Sequence, residues 1–145
     1  MYWPFWEARF APAEAQRLGA QIQSGNEQLL NRGNIGAATD IFTPTYTYHA
    51  LTGDVRGGPE VIRQFVTELR TAFPDLHVEA QVLVEQADKV VWLRTSKGTH
   101  RGAYRGVPPS GRSITWQEMV VTRYEAGKVA EEWSVSDLGE HLRLP

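Results

Sequence analysis

Residues 113–137 constrain the fold of this chain more than any other stretch. Residues 113–124 alternate in the manner of a β-strand, Glu125-Ala126-Gly127 supplies a turn, and residues 128–135 run back, which together predict a hairpin. Successive side chains on a strand face opposite ways, so Ile114, Trp116, Glu118, Val120 and Thr122 share one face and Thr115, Gln117, Met119, Val121 and Arg123 the other. Both faces carry large apolar groups. A sheet with one face in water shows apolar residues on the other face only, so this strand is expected to be covered twice, by helices of its own chain and by something else. Glu118 then stands between Trp116 and Val120, where a carboxylate is paired, has its proton affinity raised, or lines a wet cavity.

The residues before the hairpin supply its partners. Pro12 suits the first turn of a helix running toward Asn31, with Leu18, Ile22 and Leu29 to bury, and Gly33 stops it. Asn34 can cap a short second helix that ends at Pro44, after which residues 45–50 read as a β-branched and aromatic strand. Residues 51–58 are expected as a glycine-containing loop. Pro59 opens the clearest helix, in which Ile62, Phe65, Val66, Leu69 and Phe73 recur at helical spacing until Pro74-Asp75. Residues 77–85 alternate as a strand with Val78, Ala80, Val82 and Val84 inward and Glu85 outward, and residues 89–97 form another, apolar on both faces. Residues 98–111, punctuated by glycines and Pro108-Pro109, form a long irregular connection, and the tail after Asp137 is expected over the sheet edge. Helices, strand, helix and four strands in that order predict an α+β fold, a curved and mainly antiparallel sheet closing as a cone over its helices with a pocket inside.

Composition excludes several classes of function. At 145 residues the chain fits a single domain over residues 1–145, in which the aromatic start makes residues 1–11 an N-terminal extension. A formal charge of −2 without a run of Lys or Arg gives no footprint for nucleic acid. There is no cysteine, hence no disulfide and no thiolate chemistry, which fits the cytoplasm. No apolar stretch approaches the roughly 20 residues of a membrane span, and the N-terminus lacks the pattern of a secretory signal, so the chain reads as soluble and unprocessed. The four histidines and the carboxylates show no close ligand spacing, so no metal is expected.

Six short segments occur in an order that resembles one family. They are the strand ending in His49, Arg56-Gly57-Gly58-Pro59, Ala72-Phe73-Pro74-Asp75-Leu76, Gly98-Thr99-His100-Arg101-Gly102, Gly106-Val107-Pro108-Pro109-Ser110-Gly111-Arg112, and Trp133 followed by Asp137. Over residues 31–144 the chain resembles the SnoaL-like polyketide cyclases, or ester cyclases, of the nuclear-transport-factor-2-like superfamily. The resemblance implies a conical α+β barrel, a ligand chamber between sheet and helices, a homodimer through the outer sheet face, and acid–base ring closure of polyketide esters without metal or cofactor. Related members hydrate, isomerise or only bind. One departure stands out: the position of the cyclase aspartate is Ser134 here, and the position of the cyclase histidine is Val120. A neutral serine takes no proton at physiological pH without an adjacent base.

The candidates for proton transfer are therefore Glu118 and His49, with Asp137 and His100 in support. Each has a plainer reading: Glu118 as the ion-pair partner of Arg94 or Arg123, Asp137 as a cap on the tail, and the histidines as structural hydrogen-bonders. Arg94 is a candidate to hold a substrate carboxylate or enolate oxygen, or else to pair with Glu118. Tyr48, Trp92, Trp116, Val120, Trp133 and Ser134, with Tyr46, are candidates to wall a pocket for a hydrophobic ligand. The expected function is a cofactor-independent cyclase or isomerase of secondary metabolism acting on a hydrophobic carbonyl compound. The alternatives are hydration or epoxide opening in the same chamber, or a dimer that only binds small molecules.

Overall fold

The computed structural model describes residues 13–143, so the N-terminal extension lies outside the described residues. Helix α1 (Ala13–Asn26) continues into a π-helical turn (Glu27–Asn31), and a 3₁₀ turn (Ile35–Ala37) leads into the short α2 (Ala38–Ile41). Strands β1 (Phe42–Ala50) and β2 (Gly53–Arg56), helix α3 (Pro59–Ala72), strands β3 (His77–Gln86), β4 (Lys89–Thr99), β5 (Ser113–Glu125) and β6 (Lys128–Ser136), and helix α4 (Leu138–Arg143) complete the order. The six strands form one sheet in the order β2-β1-β6-β5-β4-β3. Strand β1 runs parallel to β6 and every other neighbour is antiparallel. The architecture is α+β, helices against a mixed but mainly antiparallel sheet.

The alternation read from β5 holds along the whole strand. Ile114, Trp116, Glu118, Val120, Thr122 and Tyr124 are buried, while Ser113, Thr115, Gln117 and Met119 are exposed. Helix α3 turns Ile62, Val66, Leu69 and Ala72 onto this inner face, as its spacing requires. One polar stitch fixes the helical layer to the sheet and a second joins its helices to each other. The Asn31 side chain accepts from the Val78 N–H at 2.7 Å and donates to its carbonyl at 3.1 Å, and Arg70 of α3 donates to the carbonyls of Leu30 and Asn31 at the end of the π-helical turn.

Several local expectations are corrected. Residues 53–56, read as loop, pair with β1 as an edge strand. Strand β1 starts at Phe42 and runs through Pro44, which falls in an irregular stretch of the β1–β6 pairing where a residue without an N–H is tolerated. In β3 a bulge between Val82 and Val84 reverses the pleat. Val84, expected inward, is 55% exposed, and Glu85, expected outward, is half-buried against Gly19 of α1 with its pKa raised by desolvation. The tail does not lie over an edge, since α4 packs on β5 with Leu138 buried.

One glycine sets how α3 meets the sheet. Gly58 adopts φ 62° and ψ −148°, its N–H donates to the Tyr46 carbonyl at 3.2 Å, and a Cβ there would collide with the Pro44 carbonyl oxygen. Gly58→Ala is predicted to destabilise the fold by about 3 kcal/mol. Chemical denaturation checks this as a lowered midpoint at unchanged slope.

Candidate active site

A cavity of about 690 Å³ lies between the inner sheet face and the helices. Its apolar walls come from Ile22, Leu29 and Leu30, from Ile62, Phe65 and Leu69 of α3, from Trp92 and Val120 of the sheet, and from Leu138 and Leu142 of α4. Polar residues of the helices and loops, among them Asn26, Gln64, Glu68 and Arg105, also border the cavity. A separate polar group projects from β1, β4, β5 and β6, whose inward positions lie side by side. Cross-strand register sets Arg94 opposite Glu118, Glu118 opposite Ser136, Val120 opposite Ser134, and Thr122 opposite Glu132.

Arg94 is the cation of this group. One terminal nitrogen donates to Glu118 Oε2 at 2.9 Å and the other to Asn26 Oδ1 of α1 at 3.4 Å. The guanidinium also lies over the rings of Trp92 and Phe65, at 5.3 and 5.7 Å from their centroids. Its Nε is buried without a hydrogen-bond partner. The Arg94 and Glu118 side chains are only 12% and 11% exposed, so the ion pair is largely withdrawn from water.

Glu132 is the second carboxylate on this wall. Tyr46 donates its hydroxyl to Oε1 at 3.0 Å and Thr122 donates to Oε2 at 2.6 Å. Thr122 in turn accepts from the indole N–H of Trp92 at 2.9 Å, which fixes its own hydrogen toward Glu132. Desolvation pushes the Glu132 pKa above its ordinary value, and the nearby Glu118 charge adds to this; the Thr122 hydrogen bond, the Arg94 charge and the Tyr46 hydrogen bond offset part of the rise. Burial and the same carboxylate push the Tyr46 phenol well up, so it stays a donor. The result is a carboxylate of raised basicity, lining the cavity and held by two hydroxyls. One step further along β6, the hydroxyls of Ser134 and Tyr48 lie 2.7 Å apart, and both residues line the cavity.

Of the residues singled out in the sequence, Glu118, Arg94, Tyr48, Trp92, Val120 and Ser134 line the cavity together with Tyr46. The others lie elsewhere. His49 is on the opposite face of β1 from Tyr48, stacked on Trp133 at 4.7 Å between ring centroids. Its imidazole bridges Glu131 at 2.6 Å and Asp54 at 2.8 Å, and these two carboxylates, Glu131 first, raise its pKa. His100 is fully buried, stacked on Phe73 and bonded through Nδ1 to the Ser110 N–H, where it clips the 98–111 connection together. Asp137 accepts from the Gln117 N–H at 2.8 Å and pairs with His141 at 3.3 Å, tying α4 to β5. Trp116 is buried behind the wall against Phe73.

Sequence reasoning placed Thr122 on the inner face without giving it a role, and it missed Glu132 because of a single bulge. The β5–β6 register shifts after Tyr124 pairs with Val129, so that Arg123 meets Glu131 and Ala130 is the extra residue. Counting across the turn without that shift sets Glu131 and Trp133 opposite the inward Thr122 and Val120. The bulge turns Glu132 and Ser134 inward instead, and the only sequence signal for it is Val129-Ala130, two small apolar residues in succession that break the alternation. Among the described residues no group of three His, Asp or Glu side chains is placed to hold a metal ion.

Comparison with known proteins bears on this geometry. A model of the SnoaL-like polyketide cyclase family matches residues 20–143. No curated protein matches the chain. Among solved structures, a candidate polyketide cyclase from Acidithiobacillus ferrooxidans superposes with a TM-score of 0.74 at 25% identity, over 86% of this chain and 92% of that one. AclR, a candidate hydroxylase from Streptomyces galilaeus, gives 0.73 at 26% identity over 92% and 98% of the two chains. TsrD from Streptomyces laurentii gives 0.75 at 25% identity over 90% and 93%.

The two carboxylates should separate in their effects on stability. Glu118→Gln leaves Arg94 without its direct ion-pair partner and is predicted to cost about 3 kcal/mol. Glu132→Gln is distinguished by its pH dependence. A carboxyl whose pKa is raised by folding ionises first in the unfolded chain, so its contribution to stability falls as pH rises from the ordinary glutamate value through the folded one. The difference between Glu132→Gln and the parent should therefore grow in favour of the variant over that window. Denaturation midpoints measured from pH 4 to pH 8 check both statements, and a pH-independent difference would contradict the second.

Proposed function

The chain belongs to the SnoaL-like polyketide cyclase family, and on that footing we propose that its chamber performs acid–base chemistry on a hydrophobic carbonyl compound of secondary metabolism, with Glu132 as the proton-transfer group. The observation that carries this is Glu132 itself, a desolvated carboxylate on the chamber wall with both oxygens held by the hydroxyls of Tyr46 and Thr122. In the reaction the carboxylate takes a proton from a carbon next to a carbonyl, and the C–H electron pair becomes the enolate. In a cyclisation the enolate carbon bonds to a second carbonyl carbon of the same molecule, and the proton on Glu132 passes to the new alkoxide. In an isomerisation the proton returns to a different carbon.

The remaining polar residues have supporting roles. Glu118 neutralises Arg94 and fixes its orientation. Because Glu118 already pairs with the guanidinium and the Glu132 carboxylate lies on the same wall, a neutral ketone or ester suits this wall better than a free acid. Water addition or epoxide opening is the second reading. It draws on Ser136, opposite Glu118 across the β5–β6 ladder, and on Ser134, two residues from Glu132 on β6, which can position a water molecule.

A second copy of the chain is the proposed partner. The outer sheet face carries Leu93, Met119 and Val121 next to Val135, with Met119 40% and Val135 53% exposed, an apolar surface of the kind that marks an interface. Sedimentation should find a dimer at micromolar concentration and a monomer for Met119→Lys. A monomeric parent chain would rule this partner out.

Deuterium exchange tests the chemistry before the natural substrate is known. Two- and three-ring aryl β-keto esters incubated with the protein in D₂O should lose their α-hydrogens faster than in buffer. Glu132→Gln should lower that acceleration by about 100-fold or more. An unchanged rate in the folded Glu132→Gln variant would remove Glu132 from the chemistry. Incorporation of ¹⁸O from labelled water into the product would favour the second reading.

A further inference from the structure

The Tyr48–Ser134 pair has a use that the wall around it defines. Two hydroxyls bring two hydrogens, and a contact of 2.7 Å between their oxygens uses one of them. A phenol is the more acidic hydroxyl and the poorer acceptor, so Tyr48 donates and Ser134 accepts. The hydrogen of Ser134 is then free to turn into the cavity that both residues line. Donation from Tyr48 also polarises the serine and strengthens the bond that it can make in turn.

The neighbouring relay ends the other way. There Trp92 donates to Thr122 and Thr122 to Glu132, so the chain of donors stops on an acceptor. Strand β6 thus presents an acceptor at Glu132 and a donor at Ser134, on the same face and two residues apart, a separation of roughly 6.6 Å along a strand. Opposite Ser134 stands Val120, which offers no competing hydrogen bond. Enolisation needs this arrangement: a base at the acidic C–H and a donor at the carbonyl oxygen where charge develops.

We propose that Ser134, polarised by Tyr48, is the oxyanion donor of this chamber, and that its ligands are carbonyl compounds bound with the carbonyl oxygen at Ser134 and the adjacent acidic C–H at Glu132. This rests on the proposed role of Glu132 as base. When the C–H bond breaks, its proton goes to Glu132 and its electron pair to the enolate, whose oxygen accepts the Ser134 hydrogen bond without taking the proton. Tyr48 acts through Ser134 and is a positioning residue.

In the deuterium-exchange assay Ser134→Ala should lower kcat about 100-fold while KM stays within about threefold, because the bond strengthens only as the oxyanion forms. Ser134→Thr keeps the hydroxyl and should recover most of the loss, and Tyr48→Phe should lose about tenfold or less. Parent-level kcat in Ser134→Ala, or a loss that Ser134→Thr does not repair, would overturn the proposal. A second readout needs no turnover. In a Glu132→Gln background, whose amide stands for the protonated base, an acidic fluorinated 2-naphthol should bind as its naphtholate, and adding Ser134→Ala should raise its Kd at least tenfold. An unchanged Kd overturns the assignment of Ser134 whatever Glu132→Gln does to exchange. Exchange insensitive to Glu132→Gln, together with Ser134-dependent naphtholate binding, would instead remove the base and leave the oxyanion donor standing.

Discussion

Arg94 carries its charge into a chamber whose walls are mostly hydrocarbon, and a guanidinium cannot shed its proton there. Everything packed around it answers that constraint. Glu118 stands directly across the β4–β5 ladder to neutralise it, Asn26 of α1 accepts from it, and Phe65 of α3 and Trp92 of β4 lie against the guanidinium. One side chain thereby ties the sheet to two helices. A buried pair of this kind adds little net stability over hydrocarbon of the same shape, because desolvation offsets most of the attraction. Its effect reaches a second carboxylate, Glu132, where the Arg94 charge offsets part of the rise in pKa that burial imposes.

The parallel pairing of β1 with β6 completes the wall. Tyr46 and Tyr48 are inward positions of β1, and each meets an inward position of β6, Glu132 and Ser134 respectively. A hairpin alone could not supply the tyrosine hydroxyls, since they come from a strand 86 residues earlier in the chain. The pairing forms because β1 leaves the helical layer at Phe42 and returns through the tight β1–β2 turn to Gly58, whose backbone only glycine can adopt without strain.

The two faces of the sheet have different chemistry. Inside, single hydroxyls and carboxylates are spaced along hydrocarbon walls and each has a defined partner. Outside, His49, Asp54, Glu131 and Arg123 form a connected ion cluster beside the apolar surface of Leu93, Met119 and Val121. His49, a residue type suited by its ordinary pKa to proton transfer, thus belongs to the outer face, and the group proposed for proton transfer inside is a carboxylate whose basicity burial has raised.

The sequence by itself determined the element order apart from the edge strand β2, the inner face of β5, the helical face of α3 and the presence of Glu118, Arg94, Tyr48, Trp92 and Val120 on strands that border one pocket. These follow from local periodicity, because a pleat of two and a helical turn of 3.6 leave their pattern in the residues themselves. Only the tertiary structure decided which residues those strands present to one another. The Ala130 bulge exchanged Glu131 and Trp133 for Glu132 and Ser134, and the Leu83 bulge exchanged Val84 for Glu85. One extra residue inverts every side chain beyond it, and nothing in a strand's own sequence requires that insertion. His49, His100 and Asp137 carry the right chemistry in segments of the right order, yet their side chains turn to the outer face, the loop core and the α4 junction. The direction of a side chain is fixed by what packs against it across the sheet, and that information is held by residues distant in the chain.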